Sequence, residues 1–214
     1  MKKSILAIAF VALTAVSCKN DKNKVEAKEE VKDVKKVENV INSYKANVAE
    51  STVTWKGSKP TGSHDGVVSL QNGVFDIENG TLKAGEFTID MNTISCTDLE
   101  AGNGKEKLEG HLKNADFFDV AKFPTAKFEI SSSETKGGKL HVTGNLTIKE
   151  VTKSITIPVT VTEQDGLATL KSDTFSVDRT DFGVTYSSKK FDAALKDKFI
   201  NDLMEMSFEI KAKK

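Results

Sequence analysis

From Tyr44 onward the chain alternates apolar and polar residues with a period of two. Val53 and Trp55 alternate with threonines, and Phe87, Ile89 and Met91 alternate with Glu86, Thr88 and Asp90. Phe128 and Ile130 follow, then Leu140, Val142, Leu146 and Ile148, then Ile155, Ile157, Val159 and Val161, and finally Met204, Met206, Phe208 and Ile210. A pleated strand sends successive side chains to opposite faces, so each run predicts an antiparallel strand with one dry and one wet side. Asn72-Gly73, Asn79-Gly80, Gly137-Gly138 and Asp165-Gly166 supply the positive φ angles of tight hairpins and predict turns between the runs.

Eight or nine such strands predict an all-β domain, a barrel or a sandwich, and the period alone does not separate the two. Two short helices are expected as caps. One covers 105–113, with Leu108 and Leu112 on one side; the other covers 189–199, with Phe191 and Leu195 four apart. Between the first helix and the next strand lies "HLKNADFFDVAKFPTAKFEI", residues 111–130. Pro124 disfavours helix at Phe123, which places Phe117 and Phe118 in an irregular connection. There the two rings are expected to diverge, one filling the barrel end and one packing under the helix. A plug closing a solid barrel and a lid over a cavity both fit this segment.

The first residues follow a different rule. "MKKSILAIAFVALTAVSC" carries Lys2 and Lys3, an apolar run over 5–16 and small residues before Cys18, which predicts a secretory signal too short to span a bilayer. Residues 15–18 resemble a bacterial lipobox. That resemblance implies cleavage after residue 17, lipidation of Cys18, and a protein anchored to a membrane of the cell envelope, facing the periplasm or the cell surface. Residues 19–43 hold thirteen charged side chains and no aromatic residue, glycine or proline. Such a segment buries no core and reads as a flexible tether of roughly 80–90 Å at about 3.3–3.6 Å per residue. The expected division is therefore 1–17 signal, 18–43 lipidated cysteine and tether, and 44–214 barrel.

With 214 residues, 38% hydrophobic and 29% charged, the chain can build a core without disulfides or metal. Its formal charge is zero, and loss of Lys2 and Lys3 leaves 29 basic against 31 acidic residues, with no basic block to hold a polyanion. Nucleic acid is excluded as a partner. With Cys18 acylated, Cys96 has no internal disulfide partner and reads as a buried bystander. His64, His111 and His141 show no paired spacing, so no metal site is expected. No G-x-S-x-G elbow, phosphate loop or cysteine beside a histidine in sequence supports an enzyme or a cofactor. Arg179 is the only arginine, set in Asp178-Arg179-Thr180-Asp181. A planar fork used once predicts a specific geometric task, pinning the chain at a barrel end or meeting a ligand headgroup.

Three stretches in order, residues 111–130, "GNLTIKEVTKSITIPVTV" (144–161) and "FSVDRTDFGV" (175–184), are similar to the YceI-like lipid- and polyisoprenoid-binding family. The resemblance covers essentially all of 44–214. It implies a lipocalin-like antiparallel barrel of about eight strands, a non-enzymatic role, and an interior that holds a polyisoprenoid, an isoprenoid quinone or a similar long-chain lipid. Val53, Trp55, Phe75, Phe87, Ile89, Met91, Phe117, Phe118, Phe128 and Ile130 would then line the ligand site. Leu146, Ile148, Ile157, Val159, Phe175, Phe182, Met204, Met206 and Phe208 would complete it, the methionines adapting to varied ligand shapes. Two alternatives stand beside this reading. One is an envelope interaction module whose barrel is filled by its own side chains; the other is a lipid-modifying enzyme in which a histidine meets a carboxylate inside a cleft. The sequence leaves open whether two barrels pair.

Overall fold

The computed structural model describes residues 23–37 and 43–214. The alternating runs form β1 (Tyr44–Ala46), β2 (Thr52–Lys59), β3 (Gly62–Glu78), β4 (Thr81–Cys96), β5 (Thr125–Lys136), β6 (Lys139–Ile148), β7 (Val151–Gln164), β8 (Leu167–Ser172), β9 (Phe175–Asp178) and β10 (Leu203–Lys213). All pair antiparallel. β2 to β4 and β5 to β8 follow one another by hairpins, a long connection that carries a helix joins β4 to β5, and β10 joins the ends: it pairs with β2 from Glu205↔Lys56 to Glu209↔Thr52, and with β8 from Glu209↔Lys171 to Lys213↔Leu167. The sheet therefore closes as a ring of β2 to β8 and β10. β1 continues β2 along one edge of β10, and β9 continues β8 along the other.

Turn chemistry decides most of the corners. Asn79 and Gly80 (φ 52° and 71°), Gly137 and Gly138 (60° and 79°), and Asp165 and Gly166 (51° and 76°) make the expected hairpins. Asn72-Gly73 does not. Both residues lie inside β3, where a Cβ on Gly73 would meet the Phe87 ring at 2.7 Å. This glycine makes room for an aromatic neighbour and bends no chain. Conversely, β6 turns into β7 at Lys149 and Glu150, which adopt φ 50° and 65° without a glycine to announce it.

Helix α1 spans Lys105–Lys113, with Leu112 buried and Leu108 packed beside it, as the spacing predicts. The helix expected over 189–199 is replaced by a 3-10 segment, Ala193–Lys198, broken by Lys196 at φ 50°. Phe191 is exposed, so the Phe191–Leu195 pair has no packed face to hold an α-helix. A second 3-10 turn, Arg179–Phe182, is capped by the Asp178 side chain.

The charged segment before the barrel departs from the expected solvated tether, and no helix forms within residues 23–37. Lys24 bridges in parallel to Ser176 on β9, and Lys28 antiparallel to Ser154 on β7. The reason is a gap in the wall. β8 pairs with β7 only over residues 159–164, and β9 pairs with β10. Backbone groups of Ser154 and Ser176 then need other partners. Residues 23–28 supply them: Val25 N–H donates to Ser176 (2.9 Å), Ser176 N–H to Asn23 (2.8 Å), Lys28 N–H to Ser154 (2.8 Å) and Ser154 N–H to Lys28 (3.0 Å). Val25 is buried in the main core cluster, and the Asn145 side chain both donates to the Val31 carbonyl (2.7 Å) and accepts from its amide (2.9 Å). The export signal and Cys18 lie outside the described residues.

In amide hydrogen exchange, Ser154 and Ser176 should be protected in the full chain. Both should lose protection in a chain shortened to residues 43–214, while mid-strand amides of β5 and β6 stay slow. Unchanged exchange at both serines would show that residues 23–28 do not seal this seam.

Candidate functional site

Closing the ring turns one face of every strand inward, and the inward faces are apolar. They surround a cavity of about 180 Å³, far above the roughly 10–15 Å³ at which a cavity admits one water. Its walls include Val53 and Trp55 from β2, Phe87, Ile89 and Met91 from β4, Phe128 and Ile130 from β5, Leu146 and Ile148 from β6, Ile157 and Val159 from β7, Phe175 from β9, and Met204, Met206 and Phe208 from β10. Size pairing keeps the hollow open. A Cβ on Gly66 would meet Trp55 at 2.5 Å and the Ser95 carbonyl at 1.9 Å; one on Gly144 would meet the Phe128 ring at 2.6 Å. Each large ring thus lies flat over a glycine on the next strand and leaves the axis clear.

Phe117 and Phe118 also reach the cavity wall. They do not diverge as expected. Their rings meet edge to face at 5.1 Å and 74°, because the connection after α1 folds back on itself: Phe118 N–H donates to Leu112 (3.1 Å) and Asp119 N–H to Asn114 (2.7 Å). Phe117 touches the His111 ring at 5.7 Å, and His111 packs on Tyr186 at 4.7 Å.

Among the expected lining residues, Phe75 and Phe182 are off the cavity wall. Both are fully buried. Phe75 stands behind Phe87 (5.8 Å) and stacks on Tyr44 (5.7 Å). Phe75 faces inward, opposite Gly85, but Phe87 and Tyr44 cover it from the hollow, and Phe182 sits in the 3-10 turn, where alternation says nothing. Val68, Leu70, Val142, Ile155, Leu170 and Ile210 share the inward parity and line the wall without having been singled out. Ile94 joins them through a different cause, a bulge in β4 between Asp90 and Ser95 that lets Met91 and Ile94 both face inward.

At one end Lys56, Gly57, Arg179 and Asn201 border the cavity with their polar atoms turned away from it; Asn201 is tied to Ser58 by its amide N–H (2.8 Å) and its side chain (2.7 Å). Arg179 is the largest fully buried side chain among the described residues, at 1% exposure. Its Nη1 donates to the Val184 carbonyl (2.7 Å), Nη2 to Ile200 (3.0 Å) and Nε to Asn201 (3.1 Å), while the guanidinium lies 5.5 Å from the Phe117 ring. The fork pins two loops at the barrel end by their carbonyls, and Asp202 is a longer contact at 3.5 Å. Beside it, burial alone would raise the Asp178 carboxyl. Hydrogen bonds from Lys190 (2.5 Å), the Thr180 hydroxyl (2.6 Å) and the Thr180 amide (3.0 Å) outweigh burial and hold the carboxyl below its usual range. Lys24 adds a fourth contact at 3.6 Å.

None of the three histidines lines the cavity. His64, which the sequence leaves isolated, meets Cys96 and Asp98 at one end of the β3–β4 pair, a convergence that sequence spacing does not show. Cys96 itself is buried, as expected.

Residues 44–212 match the model of a family described as the YceI-like domain. Over 86 residues the chain is 36% identical to Protein YceI of Salmonella arizonae, an alignment spanning 40% of this chain and 42% of that protein. The fold is similar to that of BcnA from Burkholderia cenocepacia (TM-score 0.63, 23% identity, 78% of this chain and 99% of that one). It is similar also to a polyisoprenoid binding domain from Saccharophagus degradans implicated in plant cell wall breakdown (TM-score 0.58, 12% identity, 79% and 97%). A YceI protein from Campylobacter jejuni aligns over 100% of this chain and 99% of its own, with TM-score 0.53 and 19% identity.

Replacing Arg179 by lysine keeps the charge but not the fork and leaves buried carbonyls without donors. It should cost roughly 2–4 kcal/mol in urea unfolding; a loss below about 0.5 kcal/mol would contradict the pinning role. Asp178→Asn tests the pH linkage. A carboxyl with a lowered folded pKa stabilises above its unfolded value of about 3.9 and loses that contribution as pH falls through the folded value. The stability gap between wild type and Asp178→Asn should therefore be widest near neutral pH and shrink below about pH 4, as read from urea midpoints across pH.

Proposed function

This chain belongs to the YceI-like family, and from that membership and its dry cavity we propose that it is a non-enzymatic carrier or store of a long apolar amphiphile in the cell envelope. The observation that carries the proposal is a hollow lined almost wholly by aliphatic and aromatic carbon. Such a site matches an oily tail held inside, with any polar head left outside the hollow. The fold shared with a polyisoprenoid binding domain supports a polyisoprenoid, an isoprenoid quinone or a related lipid.

The energetics suit exchange. Each methylene taken from water contributes about 0.8 kcal/mol, so a multi-isoprene tail is held by the order of ten kcal/mol or more against water. Against a bilayer that apolar gain nearly cancels, and tail shape, a few polar contacts and the cost of ordering the tail decide the balance. A carrier beside a membrane can then load and unload without trapping its cargo. We assign that position to a lipid on Cys18. With residues 23–28 held against the barrel wall, the chain between Cys18 and Asn23 reaches no more than about 18 Å, at about 3.6 Å per residue, so the barrel stays close to the bilayer.

Solvent extraction of the purified full chain followed by mass spectrometry should yield a long-chain amphiphile at near one per protein. Ile89→Trp and Leu146→Trp fill the hollow and should lower the recovered ligand by about tenfold or more while circular dichroism keeps its strand signature. Repeated recovery of a folded, lipid-free wild-type protein from its native membranes would sink the carrier reading.

A further inference from the structure

We propose that His64, Cys96 and Asp98 form a binding site for one zinc ion at one rim of the barrel, off the cavity wall. The β3–β4 ladder brings them together: Gly66 pairs with Cys96, so His64, two residues before Gly66, and Asp98, two residues after Cys96, fall at the same end of the pair. His64 Nδ1 lies 2.9 Å from Asp98 Oδ2, Cys96 Sγ lies 2.9 Å from Asp98 Oδ1, and the three donor atoms lie within 4.8 Å of one another. Ligand atoms around a tetrahedral zinc, at bonds of about 2.0–2.3 Å, stand about 3.3–3.8 Å apart. Side-chain adjustments of about 1 Å or less turn the present hydrogen-bonded triangle into a coordination shell.

The chemistry of the set selects the ion. One sulfur, one imidazole nitrogen and one carboxylate oxygen suit zinc, whereas calcium and magnesium take oxygen donors. The donors are also held from behind. Asp98 Oδ1 accepts the Asp65 amide (3.2 Å), and Glu109 Oε1 accepts both the Cys96 amide (2.9 Å) and the Ser95 hydroxyl (2.9 Å). Such supporting bonds fix ligand orientation. Cys96 forms the buried base, while the His64 and Asp98 side chains are 37% and 29% exposed, so an ion enters from solvent and keeps a fourth position for water.

The proton balance is simple. Burial, and then the hydrogen bond to Asp98, push the Cys96 thiol up. The hydrogen bond from that thiol, with smaller contributions from His64 and the Asp65 amide, outweighs burial and holds Asp98 at about 2. At neutral pH the proton therefore sits on sulfur and points at the carboxylate. The incoming zinc takes its place: the S–H bond breaks, the sulfur lone pair goes to the metal, and the proton leaves to solvent.

Cobalt(II) is the probe, because thiolate coordination produces a near-ultraviolet charge-transfer band. Titrating the full chain with Co²⁺ should give that band at one ion per chain. It should persist in Cys18→Ser, which removes the other thiol, and vanish in Cys96→Ser. Zinc affinity from chelator competition should fall by about tenfold or more in His64→Ala, a partly exposed position whose loss leaves the fold intact. Absence of the band in wild type, its survival in Cys96→Ser, or equal zinc affinity in wild type and His64→Ala would each overturn the site. The lipid content of the barrel does not enter any of these readouts.

Discussion

Everything in this molecule depends on one strand having two partners. β10 donates and accepts backbone hydrogen bonds to β2 on one side and to β8 and β9 on the other, and so converts a meander with two raw edges into a ring. An open sheet with these sequences would expose Met204, Met206, Phe208 and Ile210 with nothing opposite them. In the ring, the same side chains face Phe87, Ile89, Phe128 and Leu146 across an interior. Eight strands enclose a space that side chains can just fill or that can hold one small ligand. Here glycines beneath Trp55 and Phe128 tip the outcome toward a hollow, since those rings lie against the wall and not across it.

The closure is uneven, and the unevenness explains the polar features. Where β8 stops short, residues 23–28 complete the backbone pairing between β7 and β9, so a segment with the composition of a disordered linker becomes part of the wall. Where the strands give way to loops at the barrel end, carbonyls of Val184, Ile200 and Asn201 would be buried without donors, and Arg179 satisfies all three. Both solutions meet the same demand, that buried backbone groups find partners. They also meet at one residue: Asp178, adjacent to Arg179, holds Lys24 from the added segment and Lys190 from the loop.

The barrel keeps two kinds of chemistry apart along its length. Its inner face is apolar and suited to a tail that no hydrogen bond needs to recognise. At one rim, beyond the cavity wall, the end of the β3–β4 pair assembles sulfur, nitrogen and oxygen donors around Asp98. Register makes this possible, since the pairing of Gly66 with Cys96 carries His64 and Asp98 to the same end.

The sequence by itself determined what depends on local periodicity. Strand runs, three of the four glycine turns, helix α1 and the parity of most cavity residues were legible because pleat and turn geometry act over two to four neighbours. The rest required the tertiary structure. Asn72-Gly73 has the composition of a turn, yet Phe87 from the next strand claims the space above Gly73. Ile94 depends on a bulge that alternation cannot forecast, and Phe75 points inward but is covered by Phe87 and Tyr44. Residues 23–28 look solvated until the gap between β7 and β9 offers them partners. His64 and Cys96 are thirty-two positions apart, and only the ladder register makes them neighbours. Local pattern specifies which way a side chain points; pairing across the ring specifies what it meets.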